Sequence, residues 1–199
     1  MELMAPAPLL GNPPLDANGF LESSSFHKSF LILENGQIFS GISPNWQKGC
    51  FRGEVVFTTG MTGYEATLTD PSYAGQILVF TFPLIGNYGV PSKCSFESEK
   101  IFAKGVVVSN ICHNWSHYTG IQSFLEWLKD QKTPLITEVD TRALTKVIRE
   151  KGTLKGYISE EEIDQGKSNF EEETFFGKEF HHFTRRKKRR DNDYYQRSK

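Results

Sequence analysis

From Ser29 onward, short apolar runs alternate with Gly, Asn, Asp and Pro, the pattern of strands joined by tight turns. Phe30-Leu31-Ile32-Leu33 is followed by Asn35-Gly36, and then Gln37 to Ile42 nearly alternates apolar with polar. Asn-Gly between two such runs predicts a hairpin, with both residues in the positive φ of a type I′ turn. Residues 54–59, 76–82 and 104–109 predict three further strands, the second stopped by Pro83. Residues 134–137 and 154–159 predict two more.

Two helices are predicted among the later strands. Ser123-Phe124-Leu125-Glu126 has the S-x-x-E form of a capping box, and Phe124, Leu125, Trp127 and Leu128 follow it. Thr133-Pro134 ends that helix. Asp140 caps the second, in which Ala143, Leu144, Val147 and Ile148 recur at helical spacing and Arg142, Lys146, Arg149 and Glu150 take the other face. Lys151-Gly152 is its stop signal. The pattern predicts a mixed α/β body over 29–159, with layered sheet and helix, several antiparallel pairs, and no simple βαβ repeat.

Composition places tails on either side of that body. Residues 1–28 hold four of the nine prolines and are rich in Gly, Asn and Ser, so a disordered lead-in is expected. Residues 160–199 are expected to form a charged, disordered tail. It is acidic first, apart from Phe170, Phe175 and Phe176, and then carries the basic run Arg185 to Arg190. A short helix capped by Ser159 and Glu162 is a further possibility there. The net charge is −1, which gives no overall field toward nucleic acid or membrane. The basic run is read as a solvated charge block, since no stacking platform or base-reading motif accompanies it. No apolar run reaches the roughly 18 residues of a membrane span, and Met1 to Leu10 lacks the basic start of a signal peptide. A cytoplasmic home is expected.

The candidate chemistry is sparse. Cys50, Cys94 and Cys112 are far apart and odd in number, which fits free thiols in a reducing compartment. His113 and His117 flank Trp115 without a carboxylate or cysteine at metal-ligand spacing, so no metal site is expected. No G-x-x-x-x-G-K-[ST] loop is present for ATP. Thr69-Asp70-Pro71-Ser72 reads as a turn that can present the Ser72 hydroxyl, and on residue chemistry alone it is equally a turn that only holds a sheet.

Two blocks carry a family resemblance. Gly53 to Gly89 reads GEVVFTTGMTGYEATLTDPSYAGQILVFTFPLIGNYG, and Val139 to Ser159 reads VDTRALTKVIREKGTLKGYIS. Together they resemble the N-terminal domain of the small, glutamine-hydrolysing subunit of carbamoyl-phosphate synthase. The resemblance implies a layered β/β/α domain with antiparallel-rich sheets and two or three helices. It also implies a contact from Ser72 to glutamine held by a neighbouring glutaminase domain. The implied partner is a large subunit that uses bicarbonate and ATP to make carbamoyl phosphate for pyrimidine and arginine synthesis.

The family's glutaminase needs a cysteine nucleophile, a histidine base and a carboxylate, on G-x-C-x-G and H-P-E motifs. Neither motif occurs in this sequence. No catalytic residue and no cofactor is therefore expected in this chain. It is expected to lack the glutaminase domain and to dock to the large subunit, with a glutaminase supplied in trans. The alternatives are a truncated or frameshifted small subunit without function, or a basic-tailed nucleic-acid-binding protein.

Overall fold

The computed structural model describes residues 25–92 and 96–160. Seven strands form one mixed sheet in the order β2-β1-β9-β3-β4-β6-β8. They are β1 (Phe26–Leu33), β2 (Ile38–Pro44), β3 (Phe51–Thr58), β4 (Gln76–Phe80), β6 (Gly105–Val107), β8 (Leu135–Ile136) and β9 (Leu154–Ser159). The pairings β1/β2, β1/β9 and β3/β9 are antiparallel, whereas β3/β4, β4/β6 and β6/β8 are parallel. A separate parallel pair joins β5 (Leu84–Ile85) to β7 (Asn110–Ile111). The helices are α1 (Tyr64–Thr69), α2 (Phe124–Asp130) and α3 (Thr141–Lys151).

Strand alternation sorts side chains onto two faces. Ile77 and Val79 of β4 join Leu31, Leu33, Val55, Val107 and Ile158 in one core, to which α3 contributes Leu144 and Ile148. Leu78 and Phe80 face the other way, with Val106 and Leu135, against Tyr64 and Leu68 of α1 and Phe124, Trp127 and Leu128 of α2. Each face thus buries its own helix layer. Full burial of one such aliphatic or aromatic side chain stabilises by about 1.5–3 kcal/mol.

The two edge strands meet, so the sheet is nearly closed. Ile42 and Thr137 exchange amide-to-carbonyl bonds of 2.9 Å each. Gly41 permits that approach, because a β-carbon there would lie 2.4 Å from the Thr137 carbonyl oxygen. Beside it the Ser43 hydroxyl donates to the Leu135 carbonyl at 2.8 Å, and the Leu135 amide donates to Gln47 Oε1 at 2.7 Å. Gln47 Nε2 donates in turn to Ser43 Oγ at 3.3 Å. Ser43 and Gln47 are both buried. Closure consumes polar groups that two open edges would leave unpaired.

The two expected helices are present with their caps. Ser123 and Glu126 form the reciprocal capping box, Asp140 accepts the Ala143 amide at 2.9 Å, and Gly152 ends α3. The expected hairpin is present, but its turn is not type I′. The loop is Glu34-Asn35-Gly36, and only Gly36 has positive φ, at 85°. The Gly36 amide donates to the Leu33 carbonyl at 2.9 Å, and Leu33 in turn donates to Gln37 at 2.9 Å. This is a three-residue loop ending in a left-handed glycine. Asn35 instead uses its side-chain oxygen to accept the Gln37 amide at 3.1 Å.

Other boundaries also differ from the sequence expectation. β1 starts at Phe26, three residues before Ser29, and residues 104–109 yield only Gly105–Val107, with Asn110–Ile111 pairing elsewhere. Residues 1–24 of the lead-in expected over 1–28, Cys94, and residues 161–199 of the expected tail, with its possible helix and the basic run at 185–190, lie outside the described residues.

Candidate functional site

Ser72 sits on a short 3-10 turn, Pro71–Tyr73, directly after α1. Pro71 presets the first φ, and the Asp70 side chain accepts the Ser72 amide at 2.8 Å. The Tyr73 amide bonds back to Asp70 and the Ala74 amide to Pro71, both at 3.1 Å. The turn is also anchored from behind. Fully buried Thr69 donates to the Glu65 carbonyl at 2.7 Å and accepts the Glu97 amide at 3.0 Å. Ser72 itself is exposed, so a fixed backbone presents its hydroxyl to solvent. That suits contact with a ligand more than it suits chemistry, since no base lies against it among the described residues.

The other end of α1 is held by two tyrosines. Gly63 is the N-cap and supplies no side-chain cap. In its place the Tyr88 hydroxyl accepts the Gly63 amide at 2.7 Å and the Tyr64 amide at 3.2 Å, and donates to Glu65 Oε2 at 2.7 Å. The Tyr64 and Tyr88 rings stack 4.3 Å apart, and the Tyr64 hydroxyl donates to the Gly89 carbonyl. Burial pushes both hydroxyls well above the usual phenol range. For Tyr64 the neighbouring Tyr88 and Glu65 add to the rise, and for Tyr88 the hydrogen bond to Glu65 does so. Both therefore stay protonated, as Tyr64 must to donate to the Gly89 carbonyl and Tyr88 to the Glu65 carboxylate. This arrangement joins the loop at 86–89 to α1, the helix that leads into the Ser72 turn.

Among the described residues, the thiols and imidazoles do not converge on one site. Cys50 is free and exposed, and Cys112 is free and donates to the Asn114 carbonyl at 3.3 Å. His113 is half-buried, which holds its imidazole below the usual range, and its Nδ1 has no partner among the described residues. His117 is exposed and bonds to Thr119 at 2.7 Å. Among the described residues no group of three or more His, Cys, Asp or Glu is placed to hold a metal ion. Sequence reasoning found Ser72 and its turn but missed the Tyr64–Tyr88–Glu65 cluster. Its available signal was the aromatic pair spaced across two glycine-rich segments, Gly63-Tyr64-Glu65 and Asn87-Tyr88-Gly89.

This is a mixed α/β domain with a nearly closed sheet, two helical layers and a polar turn held out to solvent. Residues 31–158 match the family described as carbamoyl-phosphate synthase small chain, CPSase domain, so the chain belongs to that family. It is 50% identical over 151 residues to the carbamoyl phosphate synthase small chain of Caldanaerobacter subterraneus, covering 73% of this chain and 41% of the relative. It is 51% identical over 132 residues to the arginine-specific small chain of Bacillus subtilis, covering 66% and 36%. The multifunctional protein pyr1-3 of Dictyostelium discoideum is 44% identical over 155 residues, covering 73% of this chain and 7% of the relative. The chain thus spans about two fifths or less of the relatives it matches.

Proposed function

We propose that this chain is the non-catalytic, partner-binding half of a glutamine-using carbamoyl-phosphate synthase. It docks to a large synthase subunit and completes the glutamine site of a glutaminase domain with the Ser72 hydroxyl. The observation that carries the reading is the exposed Ser72, fixed by Asp70 and by the turn around Pro71. Family membership favours glutamine as the ligand, since the resemblance implies that a serine at this place in the motif T-D-P-S-Y meets glutamine on the adjoining domain. A neutral hydroxyl suits the neutral carboxamide and the charged ends of that amino acid equally, as both donor and acceptor. Ammonia formation and the use of bicarbonate and ATP belong to the partners in this reading.

The test is calorimetric titration of the full chain with a carbamoyl-phosphate synthase large subunit. Binding at micromolar concentration or tighter is expected. No heat at those concentrations, with both proteins folded, contradicts the docking role. Release of ammonia from glutamine by the purified chain alone contradicts the non-catalytic role.

A further inference from the structure

Three loop segments, 58–63, 81–90 and 109–122, gather at the carboxyl ends of the parallel strands. The Thr81 amide donates to the Thr58 carbonyl at 3.1 Å, Tyr88 binds Gly63, and the Ser116 amide donates to the Asn87 carbonyl at 3.1 Å. None of these segments contains Asp, Glu, Lys or Arg, in a chain that is 24% charged. Four of the five exposed large hydrophobic residues among those described lie in them: Met61 at 64% exposure, Leu84 at 39%, Tyr118 at 94% and Ile121 at 64%. Glu65 borders the surface, but its carboxylate is taken up by Tyr88. Glu138, whose amide donates to the Ser109 carbonyl at 2.9 Å, marks the charged rim.

The loops are built to keep this shape. The Trp115 indole fills the space over Gly89 and Gly120, so that a β-carbon at either would lie within 2.6 Å of the ring. His117 packs its ring against both Tyr88 and Tyr118. The Val90 carbonyl accepts the Ile121 amide at 2.9 Å. A surface depleted of charge, carrying exposed Tyr, Met and Ile on braced loops, has the composition of a protein interface core. Bracing lowers the ordering cost of binding.

We infer that this uncharged loop surface is where the large synthase partner docks, through an apolar, uncharged face of its own. The inference rests on the docking role proposed above and names its surface. The course of the chain separates this surface from the Ser72 end. Glu54 pairs with Gln76 at the entry to β4, next to the Ser72 turn, whereas Thr58 pairs with Phe80 beside the loop surface. The last described strand leaves the sheet at Ser159, paired to Phe30, next to Ile158, which is paired to Phe51 at the start of β3. A domain continuing from residue 160 therefore starts at the Ser72 end of β3 and leaves the loop surface to a different body.

The test is calorimetry of the full chain with a carbamoyl-phosphate synthase large subunit, comparing wild type, Tyr118→Asp with Ile121→Asp, and Ser72→Ala, each checked by thermal unfolding. The double variant should bind about thirtyfold or more weakly, as expected when central interface anchors are lost. Because both side chains are exposed, its unfolding temperature should be unchanged. Ser72→Ala should bind as wild type does. Wild-type affinity in the double variant would overturn this surface while leaving the docking role intact. No binding by wild type would overturn both. Sedimentation showing that the wild-type chain dimerises through Tyr118 and Ile121 would assign the surface to a second copy and overturn the inference.

Discussion

The hydroxyl of Tyr88 donates to Oε2 of Glu65 at 2.7 Å across 23 residues of sequence, and it accepts two amides from the start of α1. One phenol thus replaces the missing side-chain cap and neutralises the need of a buried carboxylate for a donor.

Tyr88→Phe should therefore destabilise the fold by about 1–3 kcal/mol, the usual cost of leaving buried polar groups unpaired. Urea unfolding would measure it. The pH dependence has a definite sign. Tyr88 and Tyr64 hold their protons more tightly folded than unfolded. Their contribution is complete below about pH 10, where the unfolded phenol begins to ionise, and is lost as the pH rises further. The alkaline fall in stability should be shallower in Tyr88→Phe than in wild type.

His113 behaves in the opposite sense. Its imidazole is held below the usual range by burial, so the unfolded chain binds the proton first. Stability from this residue is complete above about pH 6.5 and falls as the pH drops below it. His113→Gln should flatten the unfolding temperature between about pH 6.5 and pH 5, ahead of the carboxylate titrations. A slope unchanged from wild type in that interval would contradict the assignment.

Gln47 closes the sheet. Its side chain receives the Leu135 amide and supplies the Ser43 hydroxyl with a donor. Gln47→Ala should cost about 1–3 kcal/mol by stranding the Leu135 amide. Hydrogen exchange at that amide gives a local readout. It should quicken much more than exchange at Val79, which lies at the centre of the sheet.

What was legible in the sequence follows from distance along the chain. The capping box of Ser123 and Glu126, the Asp140 cap and the Gly152 stop each involve residues within one helical turn, and their residue types state the geometry. The hairpin was legible for the same reason, although the turn type was not. Asn-Gly serves both a type I′ turn and a three-residue loop, and only the partner register decides between them. α1 was missed because six residues are too few for a period, and its cap is a glycine backed by a tyrosine 25 residues away. The closure at Gln47 was missed because its partner Leu135 is 88 residues distant. Ser72 was visible as a turn residue, and glutamine as its proposed ligand came from the family resemblance of the motif around it, because the turn alone names none.

Leu144 and Ile148 bind α3 to the sheet interior. Leu144→Ala should cost about 2–5 kcal/mol, because its side chain is wholly buried and its removal leaves a cavity between α3 and the sheet. Chemical denaturation checks this, and an effect below 1 kcal/mol would show that α3 is dispensable to the core.

In the proposed role, Ser72 holds substrate and performs no chemistry. Steady-state glutamine kinetics of Ser72→Ala, with the chain assembled on a large subunit and a glutaminase domain, tests it most directly. Loss of one hydrogen bond should raise KM about three- to tenfold and leave kcat within about twofold. A fall in kcat at unchanged KM, or no change in either, would contradict a binding role for Ser72.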